Sequence, residues 1–289
     1  MSGKKTNLLI SSLLFFCISA WGASDGATAF MAGSFDMPTK GHITAMKAAL
    51  HESGTDRLVV MVNTVTGPKD HFAKDFYTSF QQRKKMILLA LGSDASKVTL
   101  ISEPPKGYSE VLEKLRSGGT KKLRVFIGED LYRGRLNAPE DTEYRVLLRP
   151  GQETGQTHEI QARVKFVNLD IEDGISSTKG RTLVQSGKLD ELTQVVDPKV
   201  AELIKKEHLY TTPTGQELTK MKRDYQNAWQ QFWEKNRTSA LGGAVMETPE
   251  FNPAQSPDAW QNKFEQHFKY FADQHRTGFC INRLLGNMF

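Results

Sequence analysis

Ala29-Phe30-Met31-Ala32-Gly33-Ser34-Phe35-Asp36-Met37-Pro38-Thr39-Lys40-Gly41-His42 is the stretch on which the fold turns. It opens with an apolar run short enough for a buried strand, and from His42 the apolar residues Ile43, Met46 and Leu50 recur at helical spacing. A strand running through a glycine-bounded loop into a helix is the start of a βα unit. Gly33 permits an unusual backbone conformation where the chain enters the turn. Gly41, just before the helix, lets a phosphate or flat base approach the main chain closely. Thr39 and His42 can then point at one anion.

The same alternation continues outward from this stretch. Leu58–Val62 predicts a second buried strand, and Phe80–Leu91 a helix with Met86, Leu89 and Ala90 facing inward. Val98–Ile101 predicts a third strand, and Tyr108–Arg116 a short helix stopped by Gly118-Gly119. Leu123–Ile127 is the next strand, ending at Gly128, and Tyr144–Arg149 and Val164–Leu169 add two more. Strands alternating with helices predict an α/β fold, a parallel sheet covered on both faces, with ligands at the carboxyl ends of its strands.

Composition narrows the function classes. The chain has 289 residues, 38% apolar and 25% charged, too apolar for wholesale disorder. Thirty-eight Lys and Arg against 33 Asp and Glu give a net charge of +5, which suits anionic small ligands but is too dilute to support a nucleic-acid track. Two cysteines, Cys17 and Cys280, exclude a disulfide framework and a multi-thiolate metal site. His51, His71, His158, His208, His267 and His275 have no metal-ligand spacing, so no protein-held metal is expected.

Leu8–Trp21 is the one long apolar stretch, preceded by Lys4 and Lys5 and followed by Gly22, Ala23 and Ser24. At about 14 residues it falls short of the roughly 20 that span a bilayer and matches a signal-peptide core, so residues 1–24 read as a secretory leader and the protein as exported, periplasmic or secreted. An uncleaved anchor or a buried helix is the alternative, and a leader that does not function would leave the protein cytoplasmic. Once the leader is cleaved, no membrane span is expected. At the other end, Thr211–Gly215 is a linker into an aromatic-rich helical region broken around Met246–Pro257. Tyr225, Trp229, Phe232 and Trp233 fall on one helical face, as do Phe264, Phe268 and Phe271. These stripes predict two helices packing on the rest of the chain; a partner or homo-oligomer contact is the other reading. The organisation is therefore leader 1–24, main domain 25–210 and C-terminal helical extension 211–289.

A second informative stretch is Ile175-Ser176-Ser177-Thr178-Lys179-Gly180-Arg181, after the last strand and opening another helix. Ser176 or Ser177 can cap it, amides face outward, and Arg181 lies one turn along, a receptor for phosphate oxygens. Alone, a serine-rich helix start is an ordinary cap.

Together and in this order, the Thr39-Lys40-Gly41-His42 loop and the Ile175–Arg181 run resemble the two signatures of the nucleotidylyltransferase superfamily. Over about Ala29–Tyr210 the chain is most similar to the nicotinate or nicotinamide mononucleotide adenylyltransferases. Arg83–Leu91, Tyr108–Arg116, Phe126-Ile127-Gly128-Glu129-Asp130, Arg149-Pro150-Gly151 and the run from Val196-Asp197-Pro198 to Leu209-Tyr210 carry that resemblance. It departs at Met37, where a proline is usual, at Pro68-Lys69-Asp70, where Pro-His-Lys is usual, at Glu129, and at the inserted Glu172-Asp173-Gly174.

The resemblance implies a Rossmann-like, doubly wound nucleotidylyltransferase fold in which a phosphate oxygen of the acceptor attacks the α-phosphorus of ATP and expels pyrophosphate. It implies Thr39 and His42 at the reacting phosphorus with Lys40 assisting, and Arg181 with the amides near Ser177 and Thr178 at the leaving oxygens. Gly33, Ser34, Phe35, Gly41, Gly128, Ile175 and Ser176 would border the nucleotide, Asp130 its ribose, and Tyr108, Ser109 and Arg149 the acceptor. Magnesium would be carried by the substrate. Blander roles stay open for two of these residues, Lys40 as a solvated surface charge and His42 as a helix-start residue; Asp36, in the same loop, is either a structural cap or brace or a catalytic group. The competing hypothesis is a non-catalytic nucleotide-binding or effector module, or an adenylyl or cytidylyl transferase for another phospho-acceptor.

Overall fold

The computed structural model describes residues 26–64, 76–104, 107–129, 142–150, 164–213, 215–236 and 248–268. The leader, Pro68-Lys69-Asp70, Asp130, Gly151, Phe271 and both cysteines lie outside the described residues. The chain forms two compact units. One comprises the described parts of Met1–Gly33, Gly41–Val62 and Leu91–Asp173; the other comprises those of Ser34–Lys40, Asn63–Ala90 and Gly174–Phe289.

The first unit holds the sheet. Its strands are β1 (Ala27–Gly33), β2 (Thr55–Val62), β3 (Val98–Ser102), β4 (Leu123–Gly128), β5 (Thr142–Leu148) and β6 (Val164–Asn168). They lie in the order β3-β2-β1-β4-β5-β6, and every neighbouring pair is parallel. This is the Rossmann-like, doubly wound order, in which the winding reverses between β1 and β4 and opens a crevice at their carboxyl ends. Gly33 and Gly128 are those ends.

All six strands fall where the apolar runs predict them. β2 is fully buried from Leu58 to Val62, as a central parallel strand must be. The helix α3 (Tyr108–Ser117) lays Val111, Leu112 and Leu115 against Phe30, Val59 and Val125. Each such side chain contributes about 1.5–3 kcal/mol on burial. The helix α1 (Lys40–His51) begins two residues earlier than its apolar periodicity indicates, because Lys40 and Gly41 already have helical backbone. Ile43, Ala45, Met46, Ala49 and Leu50 are its buried face.

The second unit contains α2 (Phe80–Leu91), α4 (Ser177–Gln185), α5 (Pro198–Lys206), α6 (Gly215–Asn236) and α7, over residues 257–268. On α2, Met86 and Ala90 are buried as expected, Leu89 is only partly so, and the inward positions also include Ile87 and Arg83. Asp197 caps α5 by accepting from the Lys199 amide at 2.9 Å, with Pro198 in the first turn.

The aromatic stripes of the C-terminal helical extension pack on each other. Tyr225 lies 5.2 Å from Trp260 and 5.1 Å from Phe264, and Trp229 lies 5.2 Å from Phe264, edge-on or tilted as aromatic quadrupoles prefer. No helix among the described residues is long and apolar enough to cross a membrane.

Candidate active site

The loop between β1 and α1 is buried from Phe35 to Thr39, although it carries polar groups and ends at a helix N-terminus. Phe35 and Met37 have φ of 47° and 33°. Non-glycine residues in that left-handed region cost of order 1–3 kcal/mol each and persist only where their surroundings over-determine them.

Asp36 supplies much of that determination. Only 5% exposed, it accepts from the Tyr77 amide at 2.6 Å, the Thr78 hydroxyl at 2.6 Å and the Tyr210 hydroxyl at 3.2 Å. The Tyr210 oxygen also accepts from the Met37 amide at 3.2 Å. Burial and the neighbouring Asp36 carboxylate push the Tyr210 phenol well above its ordinary pKa, so it stays a neutral donor. Of the two roles the sequence leaves open for Asp36, these partners describe the brace.

Arg83, fully buried, holds the entry to the loop. Its Nη1 donates at 2.7 Å to the carbonyls of both Ser34 and Asn63, and its guanidinium lies 4.5 Å from the centre of the Phe76 ring. Burial lowers its pKa, and the Asp36 carboxylate opposes that shift.

The second stretch comes to the same loop. Ser176 caps α4, its hydroxyl accepting from the Lys179 amide at 3.1 Å. The Ser177 hydroxyl donates to the Met37 carbonyl at 2.7 Å, and Arg181 Nη1 donates to the Asp36 carbonyl at 2.5 Å. Arg181 also donates to the Thr178 hydroxyl at 3.3 Å and lies 5.0 Å above the Tyr77 ring. Gly180 makes the approach sterically feasible, because a Cβ there would collide with Met37 Sδ. The Lys40 amide donates to the Val195 carbonyl at 2.9 Å, which anchors the start of α1. Ser176 and Thr178 remain exposed, Ile175, Ser177 and Arg181 partly so, while Thr39 is buried and Lys40 partly exposed.

In the sheet unit, His42 sits in the first turn of α1, and Gly41 beside it is partly exposed. Burial of its imidazole, with the nearby Arg149 guanidinium adding repulsion, lowers its pKa to about 4. The ring is therefore neutral near pH 7. Arg149 is exposed directly after β5. Tyr108 packs edge-on against Phe30 at 5.4 Å and hydrogen-bonds Tyr144; burial pushes its phenol far above its ordinary range. Its neighbour Ser109 is exposed. Asp130 lies outside the described residues.

Tyr77, Thr78, Arg83 and Tyr210 were not among the sequence-predicted site residues. Arg83 had a legible signal: it occupies the apolar face of α2 together with Met86, Ile87 and Ala90, a place where an arginine must have buried acceptors.

Sheet order and the two joined turns together define an α/β nucleotidyltransferase-like domain. The chain belongs to the cytidylyltransferase-like family, whose model matches residues 30–183. No curated protein sequence matches it. Among solved structures, it is similar to the nicotinic acid mononucleotide adenylyltransferase of Plasmodium falciparum complexed with NaAD, at 16% identity and TM-score 0.48, over 64% of this chain and 97% of that one. A putative nicotinate-nucleotide adenylyltransferase from Vibrio parahaemolyticus is 16% identical with TM-score 0.41, over 64% and 95% of the two chains. A bifunctional NMN adenylyltransferase/ADP ribose pyrophosphatase from Francisella tularensis is 16% identical with TM-score 0.39, over 74% and 57%.

Proposed function

We propose that the chain transfers the AMP moiety of ATP to the phosphate of a mononucleotide such as nicotinate or nicotinamide mononucleotide, releasing pyrophosphate. The observation that carries this reading is the joining of the two turns: Ser177 and Arg181 hydrogen-bond the carbonyls of Met37 and Asp36. A group that grips a leaving pyrophosphate is thereby fixed to the loop that leads into Thr39 and His42.

In the reaction, an acceptor phosphate oxygen forms a bond to the α-phosphorus while the α–β bridging P–O bond breaks, its electron pair leaving on pyrophosphate. Phosphoryl-type transfer of this kind needs alignment and charge stabilisation more than a side-chain nucleophile. Arg181 and the first-turn amides at Ser177 and Thr178 serve the β and γ oxygens, where charge grows. His42, neutral at pH 7, serves the reacting phosphate as a hydrogen-bond donor, with Thr39 beside it and Lys40 assisting. Gly33, Ser34, Phe35, Gly41, Gly128, Asp130, Ile175 and Ser176 border the nucleotide, and exposed Arg149, with Tyr108 and Ser109, addresses the acceptor.

Among the described residues no group of three or more His, Cys, Asp or Glu can hold a metal ion. The cationic and hydroxyl donors at this site suit triphosphate oxygens, so magnesium fits as a companion of ATP, lending further charge neutralisation when bound.

The test is pyrophosphate release from ATP and magnesium with a panel of mononucleotides. His42→Ala is expected to lower kcat about 10²–10³-fold and Arg181→Ala about 10²-fold. ATP binding without turnover on any acceptor would instead describe a nucleotide-binding module. The leader reading of residues 1–24 adds a proposal about place, that the protein is exported; N-terminal sequencing that finds residue 1 intact on cytosolic protein overturns it.

A further inference from the structure

The segment Asn252–Ser256, between α6 and α7, is fastened to the strand of chain that braces the candidate site. Gln255, 2% exposed, donates through Nε2 to the Phe76 carbonyl at 2.7 Å. The Ser256 amide donates to the Tyr77 carbonyl at 2.8 Å, and the Ser256 hydroxyl donates to Gln82 Oε1, also at 2.8 Å. That same Gln82 oxygen accepts from the Ser79 amide at 2.8 Å. From α7, Gln266 Nε2 donates to the Thr64 carbonyl.

Phe76, Tyr77 and Thr78 thus face two ways. The carbonyls of Phe76 and Tyr77 are taken by the C-terminal extension. On the other side, the Phe76 ring lies under Arg83, the Tyr77 amide and Thr78 hydroxyl bond Asp36, and the Tyr77 ring lies under Arg181. Among the described residues, the buried Oε1 of Gln255 has no hydrogen-bond partner. An unmatched buried acceptor works against stability, so a glutamine held there for one main-chain bond fits a positioning task better than a packing one.

We propose that Gln255, helped by Ser256, is a positioning residue for the active site. Through Phe76–Thr78 the C-terminal extension sets the placement of the Asp36 loop and of Arg181. This inference rests on the proposed function for the part Arg181 plays in holding ATP, but the linkage itself has a readout that needs no turnover.

The experiment uses the full chain with Gln255→Met, which keeps the side-chain volume and removes the donor. Amide hydrogen exchange at Tyr77 and Ser79 is expected to accelerate about tenfold or more while amides in β1, β4 and α6 keep their rates. In turnover, the KM for ATP is expected to rise about tenfold with the acceptor KM unchanged.

Unchanged exchange at Tyr77, or an equal acceleration throughout α6, overturns the proposal, the second result marking a merely structural role. If Gln255→Met does not fold, Ser256→Ala, which keeps the main-chain bond to Tyr77 and loses the one to Gln82, is read the same way, with Ser79 as reporter. If the unmodified protein turns over no acceptor, the functional reading fails. Exchange at Tyr77, with equilibrium ATP binding in place of KM, then decides the linkage alone.

Discussion

The two turns joined by Ser177 and Arg181 are built in opposite ways. Residues 35–39 are buried, include two strained non-glycine backbones, and are braced through Asp36 by groups as distant in sequence as Tyr210. Residues 176–181 form an ordinary capped helix start, largely open to solvent. The buried turn holds its groups where a displaced one has no alternative partner, and on the proposed function that is where the reacting atoms lie. On the same proposal, the amides and guanidinium of the exposed turn follow a mobile polyphosphate.

The largest effect should come from removing the centre of the buried turn. Asp36→Ala takes the acceptor from Tyr77, Thr78 and Tyr210 and leaves the Arg83 charge without its nearby carboxylate. A loss of about 3–5 kcal/mol is expected in urea unfolding. A loss below about 1 kcal/mol would show that the turn is not braced through Asp36.

His42 sharpens the same contrast through pH. Its folded pKa of about 4 lies below the ordinary 6.5, so the unfolded chain binds the extra proton first as pH falls. Stability from this group is complete above pH 6.5 and is lost on descending from about 6.5 to 4. Between pH 7.5 and 5 the loss should be about 2 kcal/mol in excess of that in His42→Asn. Equal slopes in the two proteins would mean that the imidazole is solvated.

Much of this architecture was legible in the sequence, and the reason differs by region. The strands announce themselves because a central parallel strand such as Leu58–Val62 must be apolar on both faces, a local constraint written in consecutive residues. The two turns were legible through glycines and hydroxyls at fixed spacing. The bracing was not: Asp36 finds its partners 41, 42 and 174 positions away, and no local period encodes such pairings. The apolar stripe marks α1 two residues late, because Lys40 and Gly41 lie ahead of it. The aromatic stripes of α6 and α7 predict packing on the rest of the chain, since periodicity reveals a face and not what covers it; in the structure they pack on each other.

A smaller effect should mark the contact between the turns. Gly180→Ala would drive a methyl into Met37 Sδ, which is flexible but fully buried. Overpacking of this kind costs about 1–3 kcal/mol. If the contact is what matters, Met37→Ala in the same chain should recover part of that loss, giving a coupling of about 0.5–3 kcal/mol in a double-mutant cycle. Strict additivity would place the damage elsewhere on α4.

The smallest effect should belong to the exposed turn itself. Ser176→Ala removes the side-chain acceptor of the Lys179 amide and should cost about 1 kcal/mol, whereas Ser176→Gly should cost only a few tenths, roughly 0.3 kcal/mol. Because the freed amide is reached by water, the ATP KM should move by less than about threefold in either variant. A Ser176→Ala effect as large as that of Asp36→Ala would erase the contrast, since it would make the open turn as structurally committed as the buried one.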